Sequence, residues 1–212
     1  MASHDPFGRG RVRRLFGLDR SAPPPPSTRK GEPLNPWTIP NAVGYLRLAA
    51  LPVFLVLAFG TEDGTSFASA MVFWAIAAGD YLDGILARIT GQYSRMGALL
   101  DPLVDRLTIL AGAVVCWHFE LLPRWALALL ALRELAMLFL AQYGLRHGVD
   151  IEVNWPGRIS VFPIMGGIFL ALLAPGWVAT ALLIWGLAMA ILATVLYAQT
   201  GMRAVRAAQD AS

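Results

Sequence analysis

Four aspartates stand in the stretch GDYLDGILARITGQYSRMGALLDPLVDRL, residues 79 to 107, within sequence apolar enough for a bilayer. Asp80 and Asp83 are spaced i, i+3 and Asp101 and Asp105 i, i+4, so on helices each pair shares one face. The polar connection TGQYS, residues 90 to 94, is short enough to fold the two helices into an antiparallel hairpin. In that hairpin Asp83 lies at the depth of Asp101 and Asp80 at that of Asp105, so the four carboxylates meet in one cluster open to the aqueous side. Four like charges at that range cannot all stay ionised unaided: some take up protons, or cations neutralise them. Oxygen-only ligands favour hard divalent ions, magnesium or manganese. Two such ions about 4 Å apart polarise a phosphoryl group and activate an attacking oxygen.

Small and basic neighbours strengthen this reading. Gly84 follows Asp83 and Gly97 lies one turn before Asp101, leaving room for a ligand beside the carboxylates. Arg88, one turn beyond Gly84, is placed to reach a phosphate by snorkelling.

The elements that must carry these residues are membrane helices. The chain has 212 residues, 57% hydrophobic and 15% charged, with repeated apolar runs of the length that crosses a hydrocarbon core. The runs are continuous and rich in Ala and Leu, which excludes the alternating ten-residue strands of a membrane barrel. The expected fold is an all-α integral membrane protein with six transmembrane helices, at about 40–59, 66–89, 96–118, 122–146, 157–175 and 177–199. Arg47 within the first run, and the long tail before it, argue against a signal peptide. Cys116 is the sole cysteine, so a disulfide framework and a thiolate metal site are excluded, and it reads as a small core hydrophobe.

Three segments follow: a basic, Pro-rich tail over 1–36, a membrane body over 37–200 and a short tail over 201–212. The first tail carries seven basic residues against Asp5, Asp19 and Glu32, then PPPP at 23–26, an extended linker by composition. With six spans both termini share a side, together with the connections holding Arg95, Arg146 and Arg158. By the positive-inside rule that side is cytoplasmic, in the plasma membrane. Trp37, Trp117, Trp125, Trp155 and Trp177 fall at the two interfaces, whereas Trp74 and Trp185 are expected in the core. Lys30 is the sole lysine against many arginines, a usage that points to a GC-rich bacterial genome. No nucleic-acid partner is expected.

Asp80, Asp83, Gly84, Ala87, Arg88, Gly97, Asp101 and Asp105 spell D-x-x-D-G-x-x-A-R, eight residues, then G-x-x-x-D-x-x-x-D, without departure. This resembles the signature of the CDP-alcohol phosphatidyltransferases, over about residues 37 to 200. The resemblance implies a six-helix membrane enzyme of phospholipid synthesis, a homodimer, with a cytoplasm-facing metal cavity. By that resemblance Asp80, Asp83, Asp101 and Asp105 hold two Mg2+ or Mn2+ ions, and Asp105 is also the general base. Gly84, Ala87, Arg88 and Gly97 line the site for the cytidine diphosphate of CDP-diacylglycerol, Ser94 assists at its phosphates, and Asn41 of IPNAVGYLR touches the nucleotide. Gly44 stands where the family often has Thr or Ser.

For the acceptor, ALRELAMLFLAQYGLRHG (131–148) and PGRIS (156–160) resemble segments of enzymes that use glycerol phosphate or phosphatidylglycerol. Arg133 and Arg158 suit a clamp on an anionic alcohol. Glycerol 3-phosphate, giving phosphatidylglycerol phosphate and CMP, is the leading acceptor, and phosphatidylglycerol, giving cardiolipin, the alternative. None of His4, His118 and His147 begins an H-x-K motif, which excludes a phospholipase-D-like route. A cation-coupled transporter is the rival class, since intramembrane carboxylates also mark ion pathways. It requires polar residues reaching the outer side or broken helices in repeated halves, and neither is evident.

Overall fold

The structure, a computed structural model, describes residues 35–146 and 155–210. The basic tail through residue 34 lies outside the described residues, and so does the side chain of Arg158. Six helices follow one another among the described residues: α1 Ile39–Phe59, α2 Phe67–Thr90, α3 Arg95–His118, α4 Arg124–Arg146, α5 Trp155–Leu173 and α6 Trp177–Asp210. Among the described residues the remainder is turn and coil, with no strand. The all-helical expectation holds, and five helices end close to where hydropathy places them. The sixth runs 34 residues to Asp210, well past the expected end near 199.

Three helices among the described residues are long and apolar enough to cross a bilayer: α1, α2, and α6 over Trp177–Leu196. In α3 the apolar run is interrupted by Asp101, Asp105 and Arg106, and in α4 by Arg133 and Glu134. The apolar part of α5, Ile159–Leu173, is shorter than a full span.

The chain divides into two compact units, the first from residues up to Val53 with Trp74–Thr108, the second from Phe54–Phe73 with everything from Ile109 onward. In the first unit the helix ends are written in the sequence. Thr38 caps α1, its Oγ1 accepting the Asn41 N–H at 3.3 Å, and Pro40 sits in the first turn where no intrahelical donor is needed. Gly91 ends α2 at φ +66°, the left-handed conformation that releases the chain from a helix. Ser94 then opens α3, its Oγ accepting the Gly97 N–H at 3.0 Å. The hairpin predicted around TGQYS is therefore stopped by a glycine and restarted by a serine within four residues.

The second unit packs through small residues and aromatic rings. Along α5, a Cβ on Gly167 would fall 2.8 Å from the Ala179 carbonyl of α6, and one on Gly186 of α6 would fall 2.8 Å from Ile164. These two backbones approach too closely for any side chain at either point. Phe54 and Phe73 lie 5.5 Å apart between ring centroids, both fully buried, and Cys116 is buried as expected of a core hydrophobe. The outward surface is itself apolar: Trp177, Phe162 and Phe139 are each more than two-thirds exposed. Trp74 and Trp185, expected in the core, are also more than half exposed. In a chain whose surroundings are hydrocarbon an apolar ring gains nothing by turning inward, so hydrophobicity alone does not mark the interior.

Candidate active site

All four aspartates lie in the first unit, on the C-terminal half of α2 and the N-terminal half of α3. They gather around a residue from the third element there, Arg47 of α1. Its guanidinium donates from Nη1 to Asp83 Oδ2 at 3.0 Å and from Nη2 to Asp105 Oδ1 at 2.6 Å, and Nη1 lies 3.6 Å from Asp80 Oδ1. Asp101 is within electrostatic reach of Asp80, Asp83 and Asp105. Two carboxylates from α2 and one from α3 thus converge on one guanidinium. Side-chain exposure grades across them, from 50% at Asp80 through 33% at Asp105 to 5% at Asp83.

Arg47 itself is 3% exposed. A buried guanidinium costs several kcal/mol in lost hydration and persists only where its donors are met. Here Nη1 and Nη2 take carboxylates and Nε donates to the Ile76 carbonyl at 2.9 Å. Sequence reasoning used Arg47 only to dismiss a signal peptide. It is nevertheless the one charged residue in α1, and an intramembrane charge is a functional candidate by default.

The oxygen-only donor set suits a hard divalent ion. In the arrangement observed, no group of three or more Asp, Glu, His or Cys side chains among the described residues is drawn together to enclose an ion. The guanidinium stands between three of the four carboxylates and engages a single oxygen of each. Which residues would hold an ion is therefore a matter of donor chemistry: Asp80 and Asp101, neither hydrogen-bonded to Arg47, with the remaining oxygens of Asp83 and Asp105.

The expected nucleotide residues form a second cluster in the same unit. Asn41, 2% exposed, donates from Nδ2 to the carbonyls of Asn35 and Pro36, both at 3.0 Å, and its Oδ1 accepts the Ser94 hydroxyl at 2.9 Å. Ile39 N–H donates to Gln92 Oε1 at 3.0 Å. Asn41 and Ser94 thus clasp the lead-in to α1 against the α2–α3 turn. Gly97 lies under this clasp, since a Cβ there would fall 2.8 Å from Asn41 Oδ1. Gly44 is buried against Leu100, whose Cδ2 a Cβ would meet at 2.5 Å, so a leucine fills the room that a Thr or Ser would need. The position of Gly84 is next to the Arg88 guanidinium, and Ala87 is partly exposed on the same stretch of α2.

Of the two arginines expected at the acceptor, only Arg133 has a described side chain. It lies in the second unit, where it donates to Glu134 Oε1 and from Nε to Thr194 Oγ1 at 3.2 Å. Glu134 is 3% exposed, so this is a buried ion pair held by a hydroxyl from α6.

Comparison with known proteins agrees with the signature. Residues 37–194 match the family model described as CDP-alcohol phosphatidyltransferase. The chain is 37% identical over 171 residues to the cardiolipin synthase (CMP-forming) of Streptomyces coelicolor, covering 78% of this chain and 80% of that one. It is 35% identical over 163 residues to a probable phosphatidylglycerophosphate synthase of Mycobacterium tuberculosis, covering 74% and 76%. To the CDP-diacylglycerol--glycerol-3-phosphate 3-phosphatidyltransferase of Escherichia coli it is 30% identical over 171 residues, covering 76% and 88%.

Proposed function

The chain belongs to the CDP-alcohol phosphatidyltransferase family, and on that premise we propose that it transfers the phosphatidyl group of CDP-diacylglycerol to a hydroxyl of phosphatidylglycerol, giving cardiolipin and CMP. The observation that carries the transfer is the convergence of Asp80, Asp83 and Asp105 on one guanidinium, with Asp101 in electrostatic reach. The acceptor follows the likeness to the Streptomyces coelicolor enzyme, whereas sequence motifs favoured glycerol 3-phosphate. The latter stands as the second reading, supported by the likeness to the Mycobacterium tuberculosis and Escherichia coli proteins. Both acceptors offer a glycerol hydroxyl on an anionic phosphate.

The acceptor hydroxyl gives its proton to the Asp105 carboxylate. The alkoxide oxygen forms a bond to the phosphorus bearing diacylglycerol, and the bond from that phosphorus to the bridging oxygen breaks, its electron pair leaving with CMP. Asp80, Asp83, Asp101 and Asp105 would hold Mg2+ or Mn2+, which when bound offsets charge on the pyrophosphate. Arg88, beside Gly84, binds a donor phosphate, and Asn41 and Ser94 hold the lead-in to α1 over the nucleotide. Arg133 and Arg158 are the candidates to bind the anionic acceptor. The protein spans the plasma membrane six times as a homodimer with both termini cytoplasmic, so that a donor with lipid tails and a soluble head reaches the site from the bilayer surface.

The test is CMP release by purified protein given CDP-diacylglycerol, Mg2+ and, separately, phosphatidylglycerol, glycerol 3-phosphate, inositol phosphate and serine. Phosphatidylglycerol is expected to support turnover with cardiolipin as product, and turnover with glycerol 3-phosphate alone would reverse the two readings. Asp105→Asn is expected to lower kcat by at least about a hundredfold with an unchanged helical spectrum. Full activity in that variant removes Asp105 as the base.

A further inference from the structure

We propose that Arg47 is the positioning residue of the carboxylate cluster, a guanidinium braced from behind by α2 so that it fixes which oxygens of Asp83 and Asp105 are left for the ion. The inference rests on the phosphatidyl-transfer reading. Three observations carry it. First, the guanidinium joins the two helices of the hairpin from a third, bonding Asp83 on α2 through Nη1 and Asp105 on α3 through Nη2. A planar fork makes both bonds in a set geometry, which a single ammonium cannot.

Second, the arm cannot swing. Nε is tied to the Ile76 carbonyl at 2.9 Å, in the turn of α2 that precedes Gly79. Gly79 presents no side chain where the arm crosses α2: a Cβ there would fall 2.7 Å from Arg47 Cδ and 2.8 Å from Cγ. Gly79 stands outside the D-x-x-D-G-x-x-A-R signature, yet it is buried, and its lack of a Cβ is what admits the arginine. Third, each bonded carboxylate gives Arg47 one oxygen, Oδ2 of Asp83 and Oδ1 of Asp105. The other oxygen of each is left without a bond to the guanidinium. Partners that orient metal-ligating groups in this way typically contribute about ten- to a hundredfold in metal affinity or rate.

The experiment uses two variants that keep the positive charge, so that changes read geometry. Arg47→Lys retains the charge without the fork, and Gly79→Ala retains the arginine but displaces its arm. Gly166→Ala, where a Cβ finds its nearest neighbour at 3.9 Å, is the control for adding a methyl to an apolar helix. Full-length protein in nanodiscs is titrated with Mn2+ and followed by electron paramagnetic resonance, and CMP release is measured beside it. Arg47→Lys and Gly79→Ala are both expected to weaken Mn2+ binding by about tenfold or more and to lower kcat comparably. The KM for CDP-diacylglycerol should stay within about threefold, because the nucleotide contacts are elsewhere. Gly166→Ala should match the parent in both readouts.

Unchanged Mn2+ affinity in folded Arg47→Lys and Gly79→Ala would overturn the inference and leave Arg47 as a structural ion pair. Losses that track only the fraction of folded protein would overturn it equally. A parent chain that binds Mn2+, loses affinity in both variants and yet releases no CMP with any acceptor would uphold Arg47 and sink the transfer reading. A parent chain that binds no Mn2+ would sink the inference.

Discussion

Gly97 lies under the Asn41–Ser94 clasp, and the cost of filling it can be worked from distances. A Cβ at position 97 falls 2.8 Å from Asn41 Oδ1 and 3.3 Å from Ser94 Oγ, and ordinary contact begins at 3.4 Å. Asn41 must therefore retreat by about 0.6 Å, and because the methyl, Oδ1 and Oγ form a triangle this stretches its 2.9 Å bond from Ser94 to about 3.2 Å, past the length of a good O–H···O bond. The amide cannot turn away freely, because its nitrogen is bonded to the Asn35 and Pro36 carbonyls at 3.0 Å each. Weakening one buried bond costs about 1 kcal/mol, which for a chain of this size lowers the melting temperature by about 3 °C. The decisive assay is a double-mutant cycle by thermal unfolding in detergent, with Gly97→Ala, Asn41→Ala and the pair. Truncating Asn41 removes the group that the new methyl strikes. The double variant should then fall within about 0.5 kcal/mol of Asn41→Ala alone. Additive costs would refute the steric argument, since they would mean that residue 97 acts through something other than Asn41.

Arg133→Ala leaves Glu134 buried without its partner and should destabilise by about 3 kcal/mol, while Arg133→Ala with Glu134→Gln should recover most of that, measured by thermal unfolding. If Arg133 serves the acceptor as proposed, the double variant should still show a raised acceptor KM. Gly64 and Gly91 both have positive φ, at +76° and +66°, but only Gly64 is walled in, by the Phe119 ring. Gly91→Ala should cost about 1 kcal/mol for backbone strain alone, and Gly64→Ala clearly more, by the same melting assay. Equal costs would show that the ring gives way.

What could be read in advance was whatever repeats along a helix or marks its end. The i, i+3 and i, i+4 spacing of the aspartates, the turn between their helices and the limits of five helices all follow from periodicity, a glycine and a serine. What could not be read is what lies between residues far apart in the chain. The bonds from Arg47 to Asp83 and Asp105 depend on how α1 is rotated against the hairpin, and no local pattern encodes that rotation. Asn41 and Ser94 could be singled out from the family resemblance, but not that their polar atoms engage one another. The expectation for Trp74 and Trp185 fails because inside and outside are equally apolar for such a chain. The excess length of α6 escapes a hydropathy reading because MRAVRAAQD favours a helix by its Ala, Arg, Met and Gln while no longer being hydrophobic.

The gradient in exposure from Asp83 to Asp80 has a bearing on turnover. In the proposed transfer each cycle strips one hydrogen ion from an alcohol, and a base sealed in hydrocarbon would have to hand it along a chain of carriers before it could act again. Asp105 is one-third open and Asp80, beyond it, is half open. If Asp105 is the base as proposed, the spent carboxyl lies on the open side of the cluster, from which it can be reset without such a chain, and the closed end is left to Asp83 and Arg47.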